Sequence, residues 1–240
     1  MKVVPYKTAA DTKKQQVARM FDGISHRYDM LNRVLSLGID KIWRRTAIRA
    51  LEAAKPALIL DVATGTGDLA LAALRLKPEK IIGVDISEGM LQVGRKKMAA
   101  RQLSHRIEMI QADSENLPFE ENKFDAATVG FGVRNFENPE RGLAEIKRVL
   151  KPGGMLVVLE FSKPAPGLFS QLYVGYFKHV LPRIGRWLSR DPAAYNYLPE
   201  SVEAFPYGEA FMQMLKNVGF NEVTCRPLTF GISTVYTARK

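Results

Sequence analysis

Cysteine is nearly absent from this chain: of 240 residues, only Cys225 carries a thiol. One thiol cannot close an intramolecular disulfide, and such usage fits a reducing compartment. Histidine is scarce as well. His26, His105 and His179 are scattered without metal-ligand spacing, so no metal centre is expected. No apolar run approaches the roughly 18 residues that read as a membrane-spanning helix. Residues 1–16 are charged and lack the apolar core of roughly 7–15 residues that a secretory signal needs. The expected protein is soluble or peripheral to a membrane. Internal repeats and low-complexity tracts are missing too, which excludes a repeat architecture. Acid is the minority charge, 25 residues against 35 lysines and arginines for a net of +10, so an anionic surface is the expected partner.

What is present reads as one α/β domain with an appended segment, because 240 residues are too few for two full domains. Strands are expected near 58–62, 80–84, 106–111, 124–130 and 155–161, with helices near 68–76, 88–101 and 139–150 between them. That alternation predicts a doubly wound parallel sheet. Ahead of it, residues from about 11 to 54 read as helical. Val17, Met20, Phe21 and Ile24 recur at spacings of three and four, and Asp11 or Thr12 is a candidate cap. Residues 28–43 interleave polar and aromatic side chains densely. They fit either a capped helix pair joined at 36–38 or a surface that handles something polar.

The loop at the end of the first strand organises the rest. Leu58, Ile59, Leu60 and Val62, interrupted only by Asp61, form a buried strand, and Gly65 and Gly67 make a tight turn into a helix starting near Asp68. Glycines there can take positive φ and let a ligand approach the backbone. Asp85 follows Gly65 by twenty positions and closes the second apolar run, where a carboxylate can accept both hydroxyls of a ribose. Gly65, Gly67 and Ala70 also satisfy the dinucleotide pattern, so NAD and S-adenosylmethionine compete for this loop. Charge separates them. Asp61 and Asp68 flank the loop, and carboxylates ~4–6 Å from a pyrophosphate cost about 1–4 kcal/mol, whereas a sulfonium and an ammonium suit acidic walls.

Two further loops should converge on the same crevice. In 111–119, Asp113 is placed to accept the exocyclic amine of adenine, with the Ser114 N–H at a ring nitrogen and Leu117 and Phe119 as apolar walls. In 130–135, Gly130 and Gly132 open space beside the reactive group, and Arg134 and Asn135 supply donors to a second substrate. Residues 163–190 carry five bases and no acid, with Phe169, Leu172, Tyr173, Tyr176, Phe177 and Val180 at helical spacing. This basic amphipathic stretch fits a lid helix, a membrane-facing channel, or both. A helix over 207–218 stopped by Gly219 and strands over 220–226 and 232–238 complete the chain. They predict an antiparallel edge hairpin, which the usual NAD domain lacks.

Arg-Val-Leu-Lys-Pro-Gly-Gly at 148–154 is a common feature of class I S-adenosylmethionine-dependent methyltransferases. Continued to Glu160-Phe161-Ser162, and joined to 28–43 and Phe131-Gly132-Val133-Arg134-Asn135, it resembles the C-methyltransferases of menaquinone and ubiquinone biosynthesis over nearly the whole chain. The resemblance implies a Rossmann-like, seven-stranded, mostly parallel sheet with an antiparallel C-terminal hairpin. It divides into N-terminal helices over 1–54, a cofactor core over 55–162, a helical insertion over 163–206 and a C-terminal unit over 207–240. It implies transfer of a methyl group from S-adenosylmethionine to a ring carbon of a polyprenylated quinol, demethylmenaquinol or a ubiquinone precursor. Asp61, Gly65, Thr66, Gly67, Asp85, Asp113, Ser114 and Gly130 are then the cofactor residues. Arg134, Asn135, Tyr28 and Asp29 are the catalytic candidates, Arg134 by favouring a phenolate and polarising a water held by Asn135. The expected setting is cytoplasmic, with contact to an anionic inner membrane face and a homodimer as the candidate assembly. Members often carry His where this chain has Asp40, Met where it has Leu31, and some Ser where it has Gly130. The competing readings are an RNA methyltransferase, disfavoured because no Asp/Asn-Pro-Pro-Tyr/Phe sequence follows the fourth strand, and a dinucleotide-binding oxidoreductase or binding module.

Overall fold

The computed structural model describes residues 3–164 and 192–240. Nearly all of the basic stretch 163–190, with its expected lid or membrane face, lies outside the described residues. The first helix, α1 (Lys13–Leu35), starts at a capping box: Thr12 accepts from the Gln15 N–H, and the Gln15 side chain accepts from the Thr12 N–H at 3.0 Å. It ends ahead of Gly38 at φ +78°, and α2 (Asp40–Arg49) buries Trp43, Ala47 and Ile48.

The chain then alternates as the sequence predicts: β1 (Leu58–Val62), α3 (Asp68–Ala73), β2 (Lys80–Asp85), α4 (Glu88–Ala100), β3 (Ile107–Gln111), β4 (Phe124–Gly130), α5 (Pro139–Val149) and β5 (Leu150–Phe161). After the undescribed stretch come α6 (Pro192–Ala204), α7 (Glu209–Asn217), β6 (Asn221–Leu228) and β7 (Ser233–Arg239). The seven strands lie in the order β3-β2-β1-β4-β5-β7-β6, with β1 to β5 parallel and β7 antiparallel to both of its neighbours. Strand alternation sorts the core into faces. Leu60 and Val62 pack with Phe124, Leu143, Phe211 and Tyr236, whereas Ile59 packs with Ile48, Leu91 and Met98. Strand order reverses between β1 and β4, so a crevice opens beyond their carboxyl ends. No helix among the described residues is long and apolar enough to cross a membrane.

One boundary differs from expectation. Pro152, Gly153 and Gly154 form a bulge inside β5 rather than a turn ahead of it, since Phe124 pairs with Leu150 and Ala126 with Met155. Gly153 sits at φ +75°, and a Cβ on Gly154 would stand 2.8 Å from the Lys151 carbonyl. Residues that normally end an element here supply the slack in a continuous strand.

Candidate active site

The loop after β1 takes its shape from two carboxylates. Asp61, 1% exposed, accepts hydrogen bonds from the hydroxyls of Thr64 and Thr128, each at 2.6 Å. Burial pushes its carboxyl up to about 6 against the pull of those bonds. It therefore braces the loop from beneath rather than lining the cavity. Asp85, at the end of β2, accepts from the N–H groups of Gly65 at 2.7 Å and Ser87 at 2.9 Å, and burial pushes its carboxyl too up to about 6. Those bonds hold Gly65 at φ +57° beside Gly67 at φ +83°.

Four strand ends converge as expected. Gly65, Asp85, Asp113 with Ser114, and Gly130 line one cavity from the loops after β1, β2, β3 and β4, and Asn135 and Tyr28 reach it as well. Thr66, Gly67, Asp61, Asp29 and Arg134 stand outside that lining. The apolar wall also differs from the expected one. Leu117 is buried in the core and Phe119 stacks edge-on against Phe124, while Phe21, Val84, Ile86, Met90 and Phe136 face the cavity. Gly132 does not open space, because a Cβ there would meet the Ala63 Cβ at 2.5 Å. It is small so that the loops after β1 and β4 can touch.

Helix α1 closes the cavity's open side. Lys14 pairs with Asp113 and lies 3.6 Å from Glu115. Burial alone would lower the Lys14 pKa, but the Asp113 hydrogen bond and both carboxylate charges raise it. Lys13 donates to the carbonyls of Arg134 and Phe136 at 2.8 and 2.9 Å. Asp22 accepts from the Ser87 hydroxyl at 2.6 Å and the Gly89 N–H at 2.8 Å. Further along, Asp29 pairs with Lys97 at 2.5 Å and accepts from the Thr66 hydroxyl at 2.5 Å. Sequence reasoning missed these ties. The available signal was the lysine pair at 13–14, since a helix's first turn favours acids and α1 has none there.

The four catalytic candidates separate. Arg134 is buried, donating to the Phe131 carbonyl and to Glu160 at 2.6 Å, with its guanidinium 5.3 Å from the Phe161 ring centre. Its Nε is buried without a partner among the described residues. Asp29 is occupied by Lys97 and Thr66. Tyr28 and Asn135 alone of the four face the cavity. Burial raises the Tyr28 phenol, while the Asn32 hydrogen bond and the Arg134 charge pull it down; the net upward shift leaves it protonated at neutral pH, a donor rather than a base. Tyr197 of α6 was not anticipated: its hydroxyl donates to the Asn135 Oδ1 at 3.1 Å, and burial pushes its phenol up to about 12. Asp40, where relatives often carry His, is inward-facing, tied to Arg44 and to the Ser36 hydroxyl at 2.6 Å.

The lining fits S-adenosylmethionine. It holds four acids, Asp85, Asp113, Glu115 and Glu137, against one base, Lys14, a balance that favours a cation over a pyrophosphate. An ionised carboxylate offers about four lone-pair sites, so Asp85 keeps acceptor capacity for the ribose beyond its bonds from the backbone.

The family model described as the ubiE/COQ5 methyltransferase family matches residues 9–240. The demethylmenaquinone methyltransferase of Bacteroides fragilis is 50% identical over 240 residues, covering 100% of this chain and 98% of that relative. The ubiquinone/menaquinone biosynthesis C-methyltransferase UbiE of Geobacter sulfurreducens is 46% identical over 230 residues, 95% of this chain and 90% of that one. Among solved structures, an S-adenosylmethionine-dependent methyltransferase of Thermotoga maritima, described as a possible histamine N-methyltransferase, superposes with a TM-score of 0.64. It is 22% identical and covers 92% of this chain and 99% of its own, a likeness of fold.

Proposed function

The chain belongs to the ubiE/COQ5 methyltransferase family, and from that premise we propose that it C-methylates demethylmenaquinol to menaquinol. Membership makes it an S-adenosylmethionine-dependent methyltransferase. The observation that carries the substrate is the full-length 50% identity to a demethylmenaquinone methyltransferase. The Geobacter relative's double name keeps a ubiquinone precursor as the second reading.

S-adenosylmethionine, when bound, supplies an electrophilic methyl group on a positively charged sulfur. Asp85, with Gly65 behind it, would hold the ribose. Asp113 and Ser114 would hold the adenine once Lys14 yields the Asp113 carboxylate, and Gly130 would offer only backbone. Thr66 and Gly67 would act by shaping the loop. A quinol hydroxyl with a pKa near ~10 is mostly protonated at neutral pH, so the site must favour its phenolate to enrich the ring carbon. In this reading Arg134 would do so through its charge. Burial, and at Tyr197 the Glu160 carboxylate paired with Arg134, raises the phenols of Tyr28 and Tyr197, and that charge pulls them down. Tyr28 can donate a hydrogen bond to the resulting oxyanion, and Asn135, held by Tyr197, can position the ring. Closure by α1 keeps water from the reacting carbon. A polyprenyl tail also requires the cavity to meet a membrane or a carrier, and the net charge of +10 favours an anionic membrane face, so the protein is read as peripheral to the cytoplasmic side.

The test is a transfer assay with methyl-labelled S-adenosylmethionine and two acceptors in parallel, a prenylated demethylnaphthoquinol and a ubiquinone-type benzoquinol precursor. Label on a ring carbon of the naphthoquinol alone is the expected result. Label on the benzoquinol alone would transfer the assignment to the second reading, and label on neither would sink both.

A further inference from the structure

Helix α1 packs on α4 and helix α2 on α3 and β5, and the turn at 36–39 that joins them makes a corner that is apolar on its exposed side and cationic around it. Met30, Val34, Leu37 and Ile42 are exposed at 47, 43, 81 and 60%. Their neighbours Leu31 and Trp43 are buried at 3 and 5%, so the corner has an ordinary core side and an apolar outer side. Leu37 is the most informative position. It sits at φ +52° directly ahead of Gly38 at φ +78°, a backbone that favours glycine. A large apolar side chain that is both exposed and held at positive φ contributes nothing to this fold.

The charges around the corner have one sign. Arg33, Lys41, Arg45 and Arg49 are exposed and form no ion pair among the described residues. The acids beside this corner point inward, Asp29 to Lys97 and Thr66, and Asp40, 6% exposed, to Arg44 and Ser36. The helix that presents Met30 and Val34 outward also presents Phe21 and Tyr28 to the cavity. We propose that the corner between α1 and α2 is a membrane-docking surface, its exposed apolar side chains entering an anionic lipid bilayer and its cations meeting the headgroups, so that the cavity takes a lipid-borne substrate directly. This rests on the polyprenylated-quinol reading and assigns its membrane contact to residues beyond 163–190.

Sedimentation with vesicles containing phosphatidylglycerol tests it without any substrate. The wild-type protein should bind them, should bind pure phosphatidylcholine vesicles far less, and should release as salt rises from about 0.1 to about 1 M and the screening length falls from ~10 to ~3 Å. Leu37→Asn with Ile42→Gln, and separately Lys41→Gln with Arg45→Gln, should each weaken partitioning at least about tenfold. Because asparagine tolerates positive φ, Leu37→Asn alone should keep or raise the melting temperature. Methylation of a short-tailed, water-soluble quinol should stay unchanged in all these variants. Variants that bind vesicles as the wild type does would overturn the assignment to this corner. A wild-type protein that ignores anionic vesicles at low salt would overturn membrane docking, while the soluble-quinol assay still judged the methyltransferase reading. Loss of a lipid-free dimer in the apolar variant would overturn it in favour of a second copy of the chain as occupant.

Discussion

Asp85 both shapes the loop after β1 and faces the cavity, and those roles set its pH behaviour. Burial pushes its carboxyl up to about 6. A protonated carboxyl is a weaker acceptor for ribose hydroxyls and brings no charge to balance a sulfonium. The sign follows: near pH 5 Asp85 is mostly protonated, and as pH rises through about 6 it ionises. Affinity for S-adenosylmethionine should therefore climb between pH 5 and 7 and level off above, with a proton released on binding near pH 6. Calorimetry in two buffers of different ionisation enthalpy reads both, and an affinity flat across that window would remove Asp85 from the ribose site. Asp85→Ala should weaken binding at pH 7 at least about tenfold, since charge-assisted bonds contribute roughly 1.5–3 kcal/mol each. Asp85 was legible in the sequence because a local rule locates it, a carboxylate closing an apolar run twenty positions beyond Gly65. Tyr197 was not, because its partner Asn135 lies 62 positions away across the basic stretch. No periodicity connects residues so far apart. Arg134 was legible as a charge in the right loop, but its buried pairing with Glu160 depends on how β4 and β5 abut.

Helix α1 shows where pattern reading stops at the scale of elements. Its apolar spacing and its cap at Thr12 were both readable, because each arises within a few residues. What it packs on was not, for an amphipathic stripe specifies burial and leaves the partner open. The parallel strands were readable as buried apolar runs, whereas the bulge in β5 used residues that elsewhere mark an end. Among the ties between α1 and the core is Asp22, which accepts from Ser87 and Gly89 where α4 begins. Removing a capping acceptor costs about 1 kcal/mol, small beside the sheet's packing but local to this seam. Asp22→Ala should speed tryptic cleavage within α1 at its lysines and arginines, while hydrogen exchange in β1 and β4 stays as slow as in the wild type. Exchange accelerating in β1 and β4 together with the cleavage would mean that α1 belongs to the same cooperative unit as the sheet.

Charge is sorted across the whole molecule. The chain carries a net +10, yet its cavity gathers four acids against one lysine, so a cationic exterior surrounds an acidic interior. An anionic surface is drawn to the outside and a cationic small molecule to the inside. Ligand binding to the folded state alone raises stability by mass action, about 2.7 kcal/mol at a hundredfold excess over Kd. At this chain length each kcal/mol moves the melting temperature by about 2–4 °C, so S-adenosylmethionine at that excess should raise it by roughly 5–10 °C. NAD at the same concentration should produce no shift, because a cavity with four acids against one lysine disfavours its pyrophosphate. Asp85→Ala should lose most of the shift. Added salt separates the two fields: it screens the exposed cations, so vesicle binding falls, while the partly enclosed cavity retains most of the S-adenosylmethionine shift. A melting shift with NAD equal to that with S-adenosylmethionine would mean that the acidic lining does not select the ligand, and the choice between the two cofactors would then have to rest on the C-terminal hairpin and family membership alone.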